Sequence, residues 1–187
     1  MEKITSKIIG DLIQDSFDDW WKSKPVFIPY FNKNLEIIFI DFAPKEDVNF
    51  IEEADVALSD FLNLSENNRN EISVLVHKNC TDFLDMVEYY EFDEPLHQIK
   101  DSNEIWNFVQ PNQIYISRRH RRDKDVYIQV SCSCDWEQEH GLQLVFRQGK
   151  KITRISDEDG HLTEADAYDK PDSEDELLSK FYFNRII

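Results

Sequence analysis

The sequence predicts an α+β fold, with a helix-rich N-terminal half packed with an antiparallel sheet in the C-terminal half. Three observations predict it. Apolar residues recur at helical spacing before about residue 90, runs rich in β-branched residues follow residue 110, and turn residues separate those runs. Because no long linker divides the chain, we expect a single domain over residues 1–187, with a subdivision near residue 110 as the alternative.

The N-terminal region begins with an apolar stripe that predicts a first helix over about residues 5–21. Two apolar runs follow at residues 26–30 and 35–42. The polar residues 32–34 between them predict a turn, so the pair is expected to form a hairpin. The stripe consists of Ile4, Ile8, Leu12 and Ile13.

The middle of the chain is expected to be helical. Helical periodicity predicts one helix over residues 48–64, with Asp47 as its N-cap, and a second over residues 71–90. The polar residues 66–70 between them predict a loop. Irregular structure is expected over residues 91–103, which contain a proline and several charges.

The C-terminal half changes to strand-like patterns. Strands are predicted over residues 113–117, 126–134, 142–146 and 151–155, and Gln148-Gly149 is the expected turn between the last two. We expect the second and third of these strands to be antiparallel neighbours.

The cysteines follow the alternation of the second strand. Period-two alternation predicts that both cysteines of this strand face the core as small apolar residues, and ligation of a transition metal is the weaker alternative. No stoichiometric metal and no other cofactor is therefore expected. The residues that share this face are Val126, Ile128, Val130, Cys132 and Cys134.

Charge and composition restrict the classes of partner. The formal net charge is −17, which repels bare nucleic acid and anionic lipid and attracts basic proteins. Three cysteines do not make a disulfide framework, and the sequence offers neither a signal peptide nor a run long enough to span a bilayer. We therefore expect a cytoplasmic protein that binds neither nucleic acid nor membrane.

The stretch after the second strand gathers chemically capable side chains. Trp136, Glu137, Glu139 and His140 lie within five residues, and Gly141 is expected to supply a positive φ before the next strand. We expect Trp136 to be buried and His140 to be hydrogen-bonded within one connected cluster. A carboxylate beside an imidazole is also the beginning of an acid–base pair, so a catalytic role is the alternative to a structural one.

A second polar cluster partly matches a calcium loop. Asp157, Asp159 and Gly160 occupy the third, fifth and sixth positions of such a loop, but Ile155 stands in the first position and Asp166 in the last. The alternative is a turn at Asp159-Gly160, followed by a short helix that Thr163 and Asp166 cap. The surrounding acidic residues 157–176 are expected at the surface.

Two further segments complete the chain. The basic run of residues 118–124 lies between two predicted strands, so it is expected to be a hairpin loop that the acidic residues 172–176 neutralise. An apolar patch on a last helix or strand is predicted from Leu177, Leu178, Phe181 and Phe183.

The same polar stretches resemble an uncharacterised family of bacterial proteins of unknown function that share a W-x-x-E-H-G signature. The resemblance covers about residues 17–168, and Trp20-Trp21 and Trp106 also match the family's pattern. It implies a β-rich C-terminal half and no particular activity. The residues that carry it are Cys134-Asp135-Trp136-Glu137-x-Glu139-His140-Gly141-Leu142, followed by Asp159-Gly160-His161-Leu162-Thr163.

Three classes of function remain open. The first, which the net charge favours, is a non-enzymatic protein-binding domain, and more narrowly an immunity protein that neutralises a basic toxin. The second is a hydrolase or metal-dependent enzyme that uses Glu137, Glu139 and His140. The third is a structural or regulatory domain without a ligand. The candidate binding residues are Trp136, Glu137, Glu139, His140, Asp159 and His161; the weak candidates for a metal are Asp157, Asp159 and Asp166.

Overall fold

A mixed β-sheet extends through most of the protein. It is seen in a computed structural model that describes residues 3–16, 20–119 and 121–179. The strands are β1 (Lys3–Ser6), β2 (Gly10–Gln14), β3 (Trp21–Lys22), β4 (Val26–Ile28), β5 (Lys33–Phe39), β6 (Val109–Arg118), β7 (Val126–Cys134), β8 (Leu142–Arg147) and β9 (Lys151–Ser156). Over the described residues their order is β1-β2-β3-β5-β6-β7-β8-β9, with β4 paired to β5 outside this path.

The helices are concentrated in the long connection between β5 and β6, which pair in parallel, whereas the other strand pairs are antiparallel. A parallel pair needs such a crossover. The α-helices are α1 (Phe50–Leu62), α2 (Glu66–Glu71), α3 (Ser73–Leu84), α4 (Glu94–His97), α5 (Glu164–Ala167) and α6 (Glu176–Ser179); 3₁₀ turns lie at Glu91–Asp93, Ser102–Phe108 and Asp172–Glu174.

The predicted helix-rich N-terminal half is wrong, because strands occur at both ends of the chain and the main helices lie in the middle. The expected first helix is instead the β1–β2 hairpin. Ile4 lies opposite Leu12 in that hairpin, and Gly10 turns the chain with a φ of 82°. A spacing of four residues places side chains on one face of a helix and also on one face of a strand, so the stripe does not distinguish the two structures.

Several expectations for the middle of the chain also need correction. Residues 66–70 belong to α2 and not to a loop, because Ser65 and Asn68 form a capping box that starts the helix. Asn49, and not Asp47, precedes α1. The helix expected to reach residue 90 ends at Leu84, and short helical turns occupy part of the region expected to be irregular.

The hairpin predictions are confirmed. β4 pairs with β5, but the turn between them falls at residues 29–32 and not at 32–34, because Lys33 and Asn34 already pair with β4. β7 has the expected bounds and pairs with β8. The turn between β8 and β9 falls at Gln148 and Gly149, whose φ angles are 52° and 70°.

The first face of the sheet, which carries Cys132 and Cys134, packs into one hydrophobic core with α1 and α3. The buried face of α1 repeats at helical spacing and rests on β7. The prediction that both thiols face the core is confirmed. The α1 residues in this core are Phe50, Ala54, Ala57, Leu58 and Phe61.

The second face of the sheet is also covered, which the alternation does not predict. Tyr127, Gln129 and Ser131 project from β7 between the core residues, yet they too are buried. Residues 157–175, which we call the covering segment, lie over this face through hydrogen bonds to β7, β8 and β9. The acidic stretch expected at the surface is therefore partly buried, at Thr163, Ala165 and Asp175.

The end of the chain is described only as far as α6, where Leu178 is buried; Phe181 and Phe183 lie outside the described residues. Among the described helices, none combines the length and the apolar character that crossing a bilayer requires.

Candidate functional site

The loop between β7 and β8, residues 135–141, holds Trp136 in the core. Its side chain is 5% exposed, and its indole Nε1 donates a hydrogen bond to Asn79 Oδ1 on α3 at 3.1 Å. The expected burial of Trp136 is confirmed. The indole connects the end of the sheet to the helical layer, which is an ordinary way to satisfy a buried polar ring atom.

Glu137 organises the rest of this loop. Its Oε1 accepts backbone N–H bonds from Glu139 at 2.9 Å and from His140 at 3.1 Å. Burial raises the pKa of Glu137, but these backbone donors and the nearby imidazole outweigh burial and leave the pKa below its ordinary value. Gly141 has a φ of 69°, as predicted.

His140 and Glu139 lie on the outside of the loop. The His140 side chain is 55% exposed, and its Nδ1 is 3.6 Å from Glu137 Oε2, so the pair is a loose contact with solvent access. Of the four expected cluster members, Glu137 and His140 contact each other, whereas Trp136 is directed to α3. The expectation of one connected polar cluster is therefore met only in part.

The geometry offers little for catalysis by this loop. The carboxylate of Glu137 is engaged by backbone donors, and burial raises the pKa of the nearby Cys134 thiol to about 12, so that thiol is protonated at neutral pH. The arrangement favours a role in fixing the chain between two strands.

The second polar cluster holds the covering segment on the sheet. Asp159 accepts hydrogen bonds from the buried Gln143 Nε2 at 2.7 Å and from the His161 backbone at 2.9 Å, and it also pairs with Arg154. The side chain of Gln143 in addition donates to the His161 carbonyl at 3.2 Å. Asp159 and His161 thus bind the chain's own polar groups.

Asp166 faces an arginine and not the other carboxylates of the calcium-like loop. Arg119 contacts it at 2.8 Å, and Thr163 Oγ1 accepts the Asp166 backbone N–H at 3.0 Å. The predicted cap of a short helix by Thr163 and Asp166 is confirmed, with α5 as that helix. In the described part of the chain, no three His, Cys, Asp or Glu side chains converge as metal ligands.

Arg119 is the centre of a buried ion cluster. Its guanidinium contacts Asp123 at 3.0 Å, and Asp166 and Asp172 at 2.8 Å each, although the side chain is only 4% exposed. Burial lowers the pKa of Arg119, but the hydrogen bonds to the three carboxylates raise it by more, so the pKa lies above its ordinary value. Arg119 in turn lowers the pKa of Asp172. The predicted neutralisation of the basic run is confirmed through Asp172; His120 lies outside the described residues.

An exposed surface that the sequence analysis missed follows α3. Every residue from 85 to 92 is exposed, and the stretch 85–94 contains no lysine or arginine. We call residues 85–94 the acidic aromatic surface. Its acidic members are Asp85, Glu88, Glu91, Asp93 and Glu94, and its exposed apolar members are Met86, Val87, Tyr89, Tyr90 and Phe92.

The rings of this surface are ordered although they face solvent. Tyr90 and Phe92 stack with ring centres 5.3 Å apart, and Tyr89 donates a hydrogen bond to Glu94 at 2.6 Å. Tyr89 is 61% exposed and Phe92 69%. The alternation of acids with aromatic residues was visible in the sequence, but assigning the stretch to the end of a helix concealed it.

Comparison with known proteins gives a family and no activity. No curated protein and no solved structure matches the chain significantly. A family model matches residues 8–162, which extends from the β1–β2 hairpin to the start of the covering segment. The expectation of a family of unknown function is thereby confirmed: the chain belongs to the family described as Domain of unknown function (DUF6985).

Proposed function

We propose that the protein is a non-enzymatic cytoplasmic binding protein that docks a basic protein through the acidic aromatic surface. The observation that carries the proposal is the group of exposed aromatic side chains among acids at residues 85–94. Aromatic residues supply much of the binding energy of protein interfaces, and solvent-exposed clusters of them mark contact sites.

Charge defines the class of partner. The surface offers four exposed carboxylates, those of Asp85, Glu88, Glu91 and Glu94, and no cation, and the whole chain carries a formal charge of −17. Complementary charge steers a basic protein to such a surface and discriminates against acidic proteins, nucleic acids and anionic membranes. Three free, buried cysteines are consistent with a reducing compartment.

The narrower form of the proposal identifies the partner as a basic toxin and this protein as its immunity protein. Net charge is its support. Co-expression tests it: the captured partner should arrest growth alone, and this protein should restore growth unless its acidic aromatic surface is altered.

The first experiment identifies the partner and then measures binding with purified components. The protein is used as bait in a lysate of its source, and the captured protein is produced separately and titrated by calorimetry. We expect a partner with a pI above about 9 whose affinity falls as salt rises. The double variant Tyr89→Ser/Phe92→Ser should weaken binding by at least about 30-fold, or about 2 kcal/mol.

Tyr168→Ser is the matched control, because Tyr168 is also an exposed aromatic residue, at 69%, but lies in the covering segment. It should change the affinity by less than about twofold. An acidic partner, or equal binding by the double variant and the control, would contradict the proposal.

A further inference from the structure

A cavity of about 400 Å³ opens on the second face of the sheet, where the covering segment begins. This second-face pocket lies on the side of the sheet opposite α1, and it is separate from the acidic aromatic surface. Its lining includes Trp20, Asp41, Tyr115, Ser117, Gln129 and Glu158.

The side chain of Gln129 is the feature of this pocket that indicates a ligand. Its side chain is 7% exposed and lines the pocket, yet it has no hydrogen-bond partner in the described part of the chain. Its neighbours on the same face of β7 do have partners, since Tyr127 bonds to Asp123 and Ser131 to Glu158. Because the described residues supply no partner, the polar atoms of this amide are expected to meet a ligand or water in the pocket.

Ser117 supports the same interpretation from the adjacent strand. It is 6% exposed and lines the pocket, and its hydroxyl likewise has no partner among the described residues. The pairing of β6 with β7 sets Tyr115 directly opposite Gln129, so the hydroxyl, the ring and the amide share one face. Two polar groups and an aromatic wall thus converge on one cavity.

The charges around the pocket favour a cation. Asp41 has no ion-pair partner in the described structure, and Glu158 accepts only the Ser131 hydroxyl at 2.7 Å. Arg118 also lines the pocket, but its charge is offset by Asp47 at 2.6 Å and Glu53 at 2.7 Å. The rings of Trp20 and Tyr115 stand edge to face at 6.1 Å, and aromatic faces attract cations.

We propose that the second-face pocket binds a small organic cation with an ammonium or guanidinium group. The cationic group lies between the carboxylates of Asp41 and Glu158 and the rings of Trp20 and Tyr115. The Gln129 amide and the Ser117 hydroxyl hydrogen-bond the ligand at the base of the pocket. The site is independent of the protein-binding function proposed above.

Calorimetric titration with agmatine, which carries both an ammonium and a guanidinium group, tests the proposal. We expect saturable binding with a Kd below about 1 mM in low salt. The uncharged analogue 1,4-butanediol and the anion glutarate should not bind. Failure of agmatine to bind up to about 10 mM, or equal binding of butanediol, overturns the proposal.

Asp41→Asn is the informative variant. Asp41 has a φ of 53°, a conformation that asparagine tolerates, so the variant removes charge without straining the backbone. Asp169→Asn is its matched control, because Asp169 also has a positive φ, of 48°, and lies outside the pocket. Asp41→Asn should weaken agmatine binding about tenfold or more, and Asp169→Asn by less than about twofold. Equal effects of the two variants overturn the proposal.

Gln129→Leu separates a binding role from a structural one. If Gln129 binds the ligand, the variant should bind agmatine more weakly while its unfolding midpoint is unchanged or higher, because the change removes an amide that makes no hydrogen bond to the described residues. A lower midpoint with unchanged agmatine affinity would show that the amide is structural and would contradict the proposal.

Discussion

Gly149 is the residue where the turn between β8 and β9 meets helix α1. Its φ is 70°, and a Cβ added there would lie 1.9 Å from the carbonyl oxygen of Ala57. Gly149→Ala must therefore separate two backbones, and we expect a loss of about 3 kcal/mol or more in the free energy of unfolding, measured in urea.

Gly10→Ala is the matched control for that prediction. Gly10 has a φ of 82°, but no heavy atom lies within 4 Å of the added Cβ. Conformational strain alone should cost about 1 kcal/mol. Equal losses at the two glycines would show that the contact with α1 is not tight.

Glu137, and not His140, is expected to stabilise the loop of residues 135–141. Glu137→Ala leaves the backbone donors of Glu139 and His140 without their acceptor, so we expect a loss of about 1 kcal/mol. The His140 side chain is mostly exposed, so His140→Ala should change stability by less than about 0.5 kcal/mol. Chemical unfolding of both variants checks it, and the reverse order would refute it.

At the level of elements, the covering segment depends on Arg119. The arginine contacts Asp166 and Asp172 of that segment and Asp123 of the β6–β7 loop. Arg119→Leu removes the buried cation that these three carboxylates share and leaves only the more exposed Arg122 beside Asp166 and Asp172. We expect faster hydrogen exchange over residues 157–175, with little change in α1 and α3. Mass spectrometry of exchanged peptides measures this.

Arg121→Leu controls for the loss of a charge from the same loop. Arg121 is exposed and makes no ion pair with the described residues, so its replacement should leave exchange in the covering segment unchanged. Protection of that segment in Arg119→Leu would show that other contacts suffice to hold it.

Acid should release the same segment. The hydrogen bond from Arg119 lowers the pKa of Asp172 below the ordinary value for an aspartate. A lowered carboxyl pKa stabilises the folded state above the unfolded pKa, and this contribution is lost as the pH falls through the folded pKa. Exchange over residues 157–175, corrected for the intrinsic rate, should therefore rise below about pH 4. A flat profile between pH 6 and 3 would contradict the linkage.

The elements that the sequence predicted well are those with one clear period and short-range pairing. β7 and the hairpins formed by β4–β5 and β8–β9 satisfy both conditions. The prediction for the residues of β1 and β2 was wrong, because an interval of four residues between apolar side chains is compatible with both a helix and a strand. Trp136 and Gly141 were placed correctly because a large ring must be buried and a tight re-entry needs a positive φ.

The second face of the sheet is covered by a distant segment, which local sequence patterns do not predict. Polar residues at alternate positions of β7 indicate solvent, yet here a distant acidic segment covers them through buried arginines. Opposite charge alone predicted that residues 172–176 neutralise the basic run, but the burial of Arg119 against Asp166 and Asp172 depends on the tertiary fold. The second-face pocket is built from five separate segments, so it likewise has no sequence signature.

At the scale of the whole molecule, the ion pairs of buried arginines leave the exterior more acidic, because these cations are not exposed to solvent. The side chains of Arg118, Arg119 and Arg154 are largely buried, and each forms an ion pair with a neighbouring carboxylate. The four exposed acids at residues 85–94 form no ion pair with an arginine of the described residues, so they present their charge to solvent. A strongly negative exterior of this kind speeds encounter with a basic protein at low salt.

The three thiols test whether the chain unfolds as one domain. Cys80 lies on α3, before the alternative boundary near residue 110, whereas Cys132 and Cys134 lie on β7, after it. All three are buried, and burial raises the pKa of Cys80 and of Cys134 to about 12. Native thiols should therefore react slowly, whereas unfolded ones, with a pKa of about 8.5, react fast.

We predict that brief thiol labelling across a urea transition yields molecules with either no label or all three. The reason is physical continuity: β5 pairs with β6 across the alternative boundary, and one core joins residues from both sides of it. Removing either half would expose the apolar surface of the other, so the halves should unfold together. Intact-mass spectrometry counts the labels, and peptide mapping locates them. A substantial population labelled at Cys80 alone, or at Cys132 and Cys134 alone, would show two units that unfold separately.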